Sequence, residues 1–225
     1  FYYLLLSFIY ILAIPYLIFK SRNSKYRQAI PAKFFLKDNT PFKENGIWFH
    51  SCSMGETKAI KPLIENYLKD ANISVITNTG FEEAKKISPN VRYLPFEIFL
   101  PFWVNKQKVL VVMEAELWYL LFLFAKKKGA KTLLINARIS DKSYKSYKRF
   151  SFFYKRIFQN IDKVFAQSEV DKSRLEELGA SNVEVIGNIK LAQLPKVNIK
   201  LEKPKQVTIT AASTHENEER LILNA

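Results

Sequence analysis

Ile47-Trp48-Phe49-His50-Ser51-Cys52-Ser53-Met54-Gly55-Glu56 opens with three apolar residues, breaks into small polar ones and leads into a helical pattern. Ile47, Trp48 and Phe49 read as a short buried strand. Ala59, Ile60, Leu63, Ile64, Tyr67 and Leu68 then recur at helical spacing. Strand, tight turn and helix begin an α/β unit, and ligands gather at the carboxyl ends of such strands. Glu56 falls in the first helical turn, where the positive end of the macrodipole favours a carboxylate and keeps it ionised. It is therefore a candidate general base. The same letters allow a second role: Ser53-x-x-Glu56 is a capping box, in which the glutamate satisfies a backbone N–H. The two roles are compatible. Cys52 is either a reactive thiol or a small filler at the turn.

Further along, the same alternation repeats. Ile73–Thr77 is an apolar run ending in Asn78-Thr79-Gly80, with Phe81, Ala84 and Ile87 at helical spacing after it. Val91–Pro95 is a short extended piece. Phe96–Trp103 is too apolar for an ordinary loop and reads as core or as a membrane-contacting lip. Val109–Met113 is continuous enough for a central parallel strand and stops at Glu114-Ala115-Glu116. Thr132–Asn136, Val164–Ala166 and Val183–Gly187 are further strands, the last two separated by a helix over Ser168–Gly179. Strands alternating with helices predict an α/β fold, a Rossmann-like parallel sheet with helices on both faces. Polar residues collect after the strands: Glu56, Asn78, Glu114 and Glu116, Asn136 and Arg138, Gln167 and Ser168, Asn188 and Lys190. Six such ends mark one edge of the sheet as the binding cleft.

Ahead of this domain, residues 1–19 carry no charge. About 20 apolar residues cross the ~30 Å hydrocarbon core, so the stretch predicts a transmembrane signal anchor, with Pro15 kinking or shortening it. A basic juxtamembrane segment follows over residues 20–46, including Lys20, Arg22, Lys25, Arg27, Lys33, Lys37 and Lys43. That bias places the larger part of the chain on the cytoplasmic side of the membrane. The Rossmann-like domain spans 47–193. Residues 194–206 read as a polar, Pro-containing linker, and 207–225 as the truncated start of a second domain, beginning with a strand at Val207–Thr210.

The 225 residues carry 35 Lys+Arg against 21 Asp+Glu, a net charge of +14, which calls for an anionic partner. One cysteine excludes an internal disulfide, and two distant histidines argue against zinc. Seven basic residues between Arg138 and Phe158 face one acidic residue, Asp141. Phe150, Phe153, Ile157 and Ile161 take helical spacing and predict a buried face. Tyr144, Tyr147, Phe152, Tyr154 and Phe158 are left for other surfaces. The run either rests on anionic headgroups or grips the phosphates of a substrate, or is a solvated helix face.

Six motifs together resemble one family. His50-Ser51-Cys52-Ser53-Met54-Gly55-Glu56 is similar to H-x-V-S-V-G-E, and Met113-Glu114-Ala115-Glu116-Leu117-Trp118 to M-E-T-E-L-W. Asn136-Ala137-Arg138-Ile139-Ser140 resembles N-A-R-L-S, and Ala166-Gln167-Ser168-Glu169 resembles A-Q-S/N-E. Gly187-Asn188-Ile189-Lys190 resembles G-N/S-L-K, and Ser213-Thr214-His215-Glu216 resembles S-T-H followed by glutamates. The pattern is that of the 3-deoxy-D-manno-octulosonic acid (Kdo) transferases of lipopolysaccharide synthesis, two-domain GT-B glycosyltransferases. Cys52, Met54, Ala115, Tyr119 and Asn217 depart from it without removing a carboxylate or the lysine.

The resemblance implies inverting transfer of Kdo from CMP-Kdo to a lipid A precursor (lipid IVA), with no metal or other cofactor. Glu56 would be the base, and Glu114 and Lys190 would stabilise the transition state. Ser53, Gly55, Asn136, Arg138, Ser213, Thr214 and His215 would contact substrate. The donor site would lie mainly in the second domain, so this chain alone would be inactive. Read from the residues themselves, Glu114 could instead pair with Arg138 to lock the sheet edge, and Lys190 could be a solvated lysine. Asn136 and Arg138 could simply order loops. An enzyme using another nucleotide sugar and a membrane-anchored nucleic-acid binder are the alternative readings. The absence of a nucleic-acid fold signature argues against the second.

Overall fold

The computed structural model describes residues 1–67, 69–193 and 205–223. Contacts divide the chain into two units, Phe1–Gln193 and Leu194–Ala225. The helical reading at Leu68 and the linker reading over 194–204 lie outside the described residues, as do the last two positions of the final segment.

The first unit is built on seven parallel strands: β1 (Ile47–Ser51), β2 (Ala71–Val75), β3 (Val91–Tyr93), β4 (Val109–Met113), β5 (Lys131–Ala137), β6 (Lys163–Ala166) and β7 (Val183–Val185). Their spatial order is β3-β2-β1-β4-β5-β6-β7. The chain winds outward from β1 in one direction and then, from β4, in the other. That places a switch point between β1 and β4, whose ladders pair Ile47 with Val109 and His50 with Val112. β1 and β4 are buried on both faces, which is why they read as unbroken apolar runs rather than as alternating ones.

Two cores result. On one face Phe49, Ile73, Val75, Val111 and Met113 pack under α2 (Ala29–Phe35), α3 (Met54–Glu65) and α4 (Asn78–Lys85). On the other, Trp48, Leu110, Val112 and Leu134 meet α5 (Leu100–Trp103), α6 (Tyr119–Lys127), α8 (Ser151–Phe158) and α9 (Glu169–Glu177). Trp48, Trp103 and Phe42 interlock edge-on, with ring centroids 5.2–5.9 Å apart. Both indoles find acceptors, Ser74 Oγ at 2.8 Å and Asn39 O at 2.7 Å. Phe42 and the buried Asn39 belong to the segment read as basic and juxtamembrane. Its α2 therefore packs against the sheet rather than simply linking the domain to the anchor.

Several local readings are corrected. Leu63 and Tyr67 are exposed, because α3 stops at Glu65 and turns its buried face through Ala59, Ile60 and Ile64. β2 ends at Val75, two residues early, because Thr77 leaves the ladder to cap α4, its Oγ1 accepting from Gly80 N at 3.1 Å. Between Asp141 and Phe158 there are two helices, α7 (Asp141–Arg149) and α8, and they meet at Phe150. The break resets the helical phase, so Phe150 is exposed while Phe158 is buried. Phe96–Trp103 is mainly core: Ile98, Leu100 and Trp103 are buried and only Phe102 projects.

The N-terminal helix α1 (Tyr2–Ser21) lies against this unit. Tyr2 Oη donates to Glu97 Oε1 at 2.5 Å, Tyr3 Oη to Ile98 O at 3.1 Å and Tyr10 Oη to Phe34 O at 2.6 Å. Glu97, on the 3₁₀ turn Glu97–Phe99, also accepts from Leu120 N at 2.7 Å and so caps α6, which has no capping residue of its own.

In the second unit Val207–Thr210 is exposed and makes no strand pairing among the described residues, unlike the strand read there. A ladder needs a neighbour, and β-propensity alone does not supply one. α10 (Glu218–Leu223) follows.

Candidate active site at the β1/β4 switch point

β1 delivers Cys52 and Ser53 to the carboxyl edge of the sheet, and Ser53 caps α3. Ser53 Oγ accepts from Glu56 N at 3.4 Å and donates to Glu56 Oε1 at 2.9 Å, while Cys52 N donates to Glu56 Oε2 at 2.7 Å. The capping box thus exists, with the reciprocal bond taken by the residue before the cap. Both carboxylate oxygens are held, so the side chain is fixed in one orientation. Glu56 is only 9% exposed, and burial raises its pKa despite the bonds from Cys52 and Ser53. Glu114 adds to the rise and Lys190 opposes it. The helix-end expectation is therefore reversed in sign: desolvation outweighs the dipole and makes Glu56 more basic.

Just past β4 lies Glu114, which takes a left-handed backbone (φ 54°). Its carboxylate does not pair with Arg138. It meets Lys190 Nζ at 2.5 Å and lies 3.5 Å from Asn136 Nδ2. Asn136, fully buried and also left-handed (φ 53°), sits where the β5–β6 register shifts between Leu134 and Ala137. Its Oδ1 accepts from Ile189 N at 3.1 Å, which fastens the segment carrying Lys190. Lys190 is thus paired, not simply solvated, although it follows Glu114 by 76 positions in the chain.

Glu116 and Lys33 complete the cluster, and the sequence reading gave neither a role. Glu116 accepts from Trp118 Nε1 at 2.8 Å; burial raises its pKa, with Glu56 and Glu114 contributing. Lys33, read as one of the solvated juxtamembrane cations, is half-buried and donates to Ile76 O at 3.2 Å. Burial lowers its pKa, and a smaller effect of Cys52 opposes the lowering. The alternation of Glu114 and Glu116 across a strand end was the available signal for Glu116. For Lys33 there was none. The Cys52 thiol is pushed up to about 12 by burial and by Glu116 and Glu56, so it is an inert filler of the turn.

The remaining candidates are dispersed. Gly55 is exposed, and a Cβ there would meet only Ser53 Oγ at 4.0 Å. Arg138 is exposed on a cavity of about 260 Å³ shared with Glu114, Ser140, Ser143 and Tyr147. It makes no hydrogen bond or ion pair among the described residues. Asn78 is structural: its amide donates to Lys25 O and accepts from Tyr93 Oη. Ser213, Thr214 and His215 belong to the second unit. There Thr214 Oγ1 donates to Glu219 Oε1 at 2.7 Å and His215 N to Glu218 Oε2 at 2.8 Å. No group of three His, Cys, Asp or Glu placed to hold a metal occurs among the described residues.

A buried carboxylate that feels a carboxylate–lysine pair at a Rossmann switch point is a constellation many proteins could carry, so the wider sequence has to assign it. Residues 22–193 match the family described as 3-deoxy-D-manno-octulosonic-acid transferase (kdotransferase). The chain belongs to that family. The 3-deoxy-D-manno-octulosonic acid transferase of Rickettsia bellii is 36% identical over 198 residues, covering 79% of this chain and 47% of the relative. That of Chlamydia pneumoniae is 30% identical over 220 residues, 90% of this chain and 50% of the relative. A bifunctional glycosyltransferase/methyltransferase of Fusobacterium nucleatum is 33% identical over 205 residues, 80% of this chain and 32% of the relative. The chain spans half or less of the length of these curated relatives. The match of a Kdo transferase domain covers β1 to Lys190, so every residue of the Glu56–Glu114–Lys190 cluster lies within it.

Proposed function

We propose that this chain is the acceptor-side half of an inverting glycosyltransferase that moves Kdo from CMP-Kdo to a hydroxyl of a lipid A precursor (lipid IVA). One observation carries the reading: a buried carboxylate of raised pKa, Glu56, stands at the switch point beside the paired Glu114 and Lys190. Glu56 takes the proton from the acceptor hydroxyl as its oxygen attacks the anomeric carbon. The bond from that carbon to the phosphate oxygen breaks, and CMP leaves with the electron pair. A base of raised pKa is better matched to this proton transfer than an ordinary carboxylate. Lys190 offsets charge on the departing phosphate, and Glu114 holds Lys190 in place. Charge supplied by a lysine suits a transfer that needs no metal, and insensitivity to chelators is the expected behaviour. Arg138, on the adjoining cavity, contacts an anionic group of a substrate. The segment after Gln193 begins the donor-binding domain, and Ser213, Thr214 and His215 serve the donor there.

The experiment is the pair Glu56→Gln and Glu56→Ala in the full-length protein, assayed with CMP-Kdo and a lipid A precursor. Gln still completes the capping box and removes a buried charge, so it should melt at or above the parent. Ala loses the cap, about 1 kcal/mol or less. As the base, neither variant can accept the proton, and both lose roughly 10²- to 10⁴-fold in rate, about 3–5 kcal/mol of barrier. Normal turnover by Glu56→Gln would end the reading.

A further inference from the structure

α1 is 20 residues long, about 30 Å, and apolar enough to cross a membrane. Its contacts run along the whole of that length. Tyr2 meets Tyr119 edge-on and Phe153 at a tilt near the first turn. Tyr10 meets Phe96 and Phe99 in the middle. Leu17 is buried and Lys20 lies over Tyr26 at the last turn. The half-buried positions 2, 6, 7, 10, 13, 14 and 20, with the buried Leu17, fall on one side of the helix at helical spacing. Three tyrosine hydroxyls on this side are committed to the domain, and one of them satisfies the buried Glu97 carboxylate. The opposite stripe, Leu4, Phe8, Ile11, Leu12 and Phe19, is 61–72% exposed and wholly apolar.

Basic residues flank both ends of this helix on the domain side. Lys20, Arg22, Lys25 and Arg27 follow its C-terminal end. At its N-terminal end, Arg156 shares a groove with Phe1 and Tyr2, and the exposed Phe150 and Phe152 line the same groove. A spanning helix would place its two ends at opposite membrane faces and carry the docked Lys33 and Glu97 segments into hydrocarbon, at several kcal/mol per charged group. Because the domain covers its inner side, the helix needs no charged face of its own, and an apolar outer stripe between cations at both ends fits a helix lying flat on one anionic leaflet.

We infer that α1 is an in-plane anchor: it stays docked on the domain and inserts its outer stripe into one leaflet of an anionic phospholipid membrane without crossing it. The inference replaces the transmembrane reading of residues 1–19 and rests on membrane association, not on the transfer reaction. The test uses the full-length protein carrying an uncharged, protease-cleavable epitope ahead of Phe1, in sealed membrane vesicles of both orientations. The expected result is complete loss of the epitope only in vesicles that also expose the domain to protease. Loss only in vesicles that shelter the domain would mean that the helix spans the bilayer and would overturn the inference. Recovery of the protein free of vesicles in low-salt buffer would overturn it as well. The readout is topology, so an inactive transferase leaves it standing.

Discussion

Lys190→Met and Glu114→Gln, made separately in the full-length protein, test whether the pair acts on the leaving group or only orders a loop. Lys190 Nζ lies 2.5 Å from Glu114 Oε1, and the two side chains are 44% and 26% exposed. A pair this open to water contributes at most about 1 kcal/mol to stability. For a chain of this size that is a Tm change of roughly 2–4 °C. If Lys190 meets charge that develops on the departing phosphate, Lys190→Met removes a stabilisation made only in the transition state. The kcat should then fall roughly 10²- to 10³-fold, about 2.7–4 kcal/mol, well beyond the stability effect. The pH profile supplies a second, independent sign. Glu114 raises the pKa of Glu56 and Lys190 lowers it. Removing the Glu114 charge therefore moves the acid limb of the rate profile to lower pH, and removing the Lys190 charge moves it to higher pH. Transfer from CMP-Kdo to a lipid A precursor is measured across that limb, with melting followed in parallel. Limbs that move in the same direction, or a well-folded Lys190→Met variant at full rate, would refute the reasoning.

Three further outcomes are expected. Gly55→Ala should be as stable as the parent or up to about 1 kcal/mol more stable, because the new methyl group meets nothing closer than 4.0 Å and Gly is a poor helix former. Transfer should nonetheless fall, since that methyl group stands beside Glu56; unchanged kcat/KM would remove Gly55 from the acceptor site. His50 is fully buried, with its pKa lowered to about 3 by burial. Below its ordinary value of about 6.5 the unfolded chain takes up a proton that the native state refuses, so stability falls by up to about 1.4 kcal/mol per pH unit between about 6.5 and 3. Denaturant titrations of His50→Leu should show a shallower slope against pH in that window, and an equal slope would contradict the assignment. Finally, the 225-residue chain should bind CMP weakly or not at all by calorimetry; saturable micromolar binding would mean that the donor site has been placed in the wrong half.

Sequence and structure agree most closely where one physical signal dominates. Val109–Met113 and Ile47–Phe49 are buried on both faces, and burial on both faces produces an unmistakable run. Ser53 and Glu56 were legible because a cap is a local device. The partner of Glu114 was not. Arg138 is nearer in sequence, yet Lys190 arrives from beyond β7, drawn in by the Asn136 amide. The pKa direction of Glu56 was missed for a related reason. The dipole is a property of one helix, whereas desolvation depends on every element packed around it. Phe150 and Phe158 exchanged places because a single helical phase was carried through a break between two helices.

The docking of α1 also sets an order of events during synthesis. Tyr2 and its partner Glu97 are 95 residues apart in the chain. At 5–20 residues per second, roughly 5–20 s pass between the appearance of the helix and that of its docking face. Throughout that interval an uncharged, strongly apolar segment has only the part of its docking surface made by residues such as Phe34 to cover it, and the nascent chain must shelter the rest elsewhere. A lipid surface is one such shelter. If α1 is the in-plane anchor inferred above, it engages the membrane before the domain has a core, and the finished sheet then closes onto it.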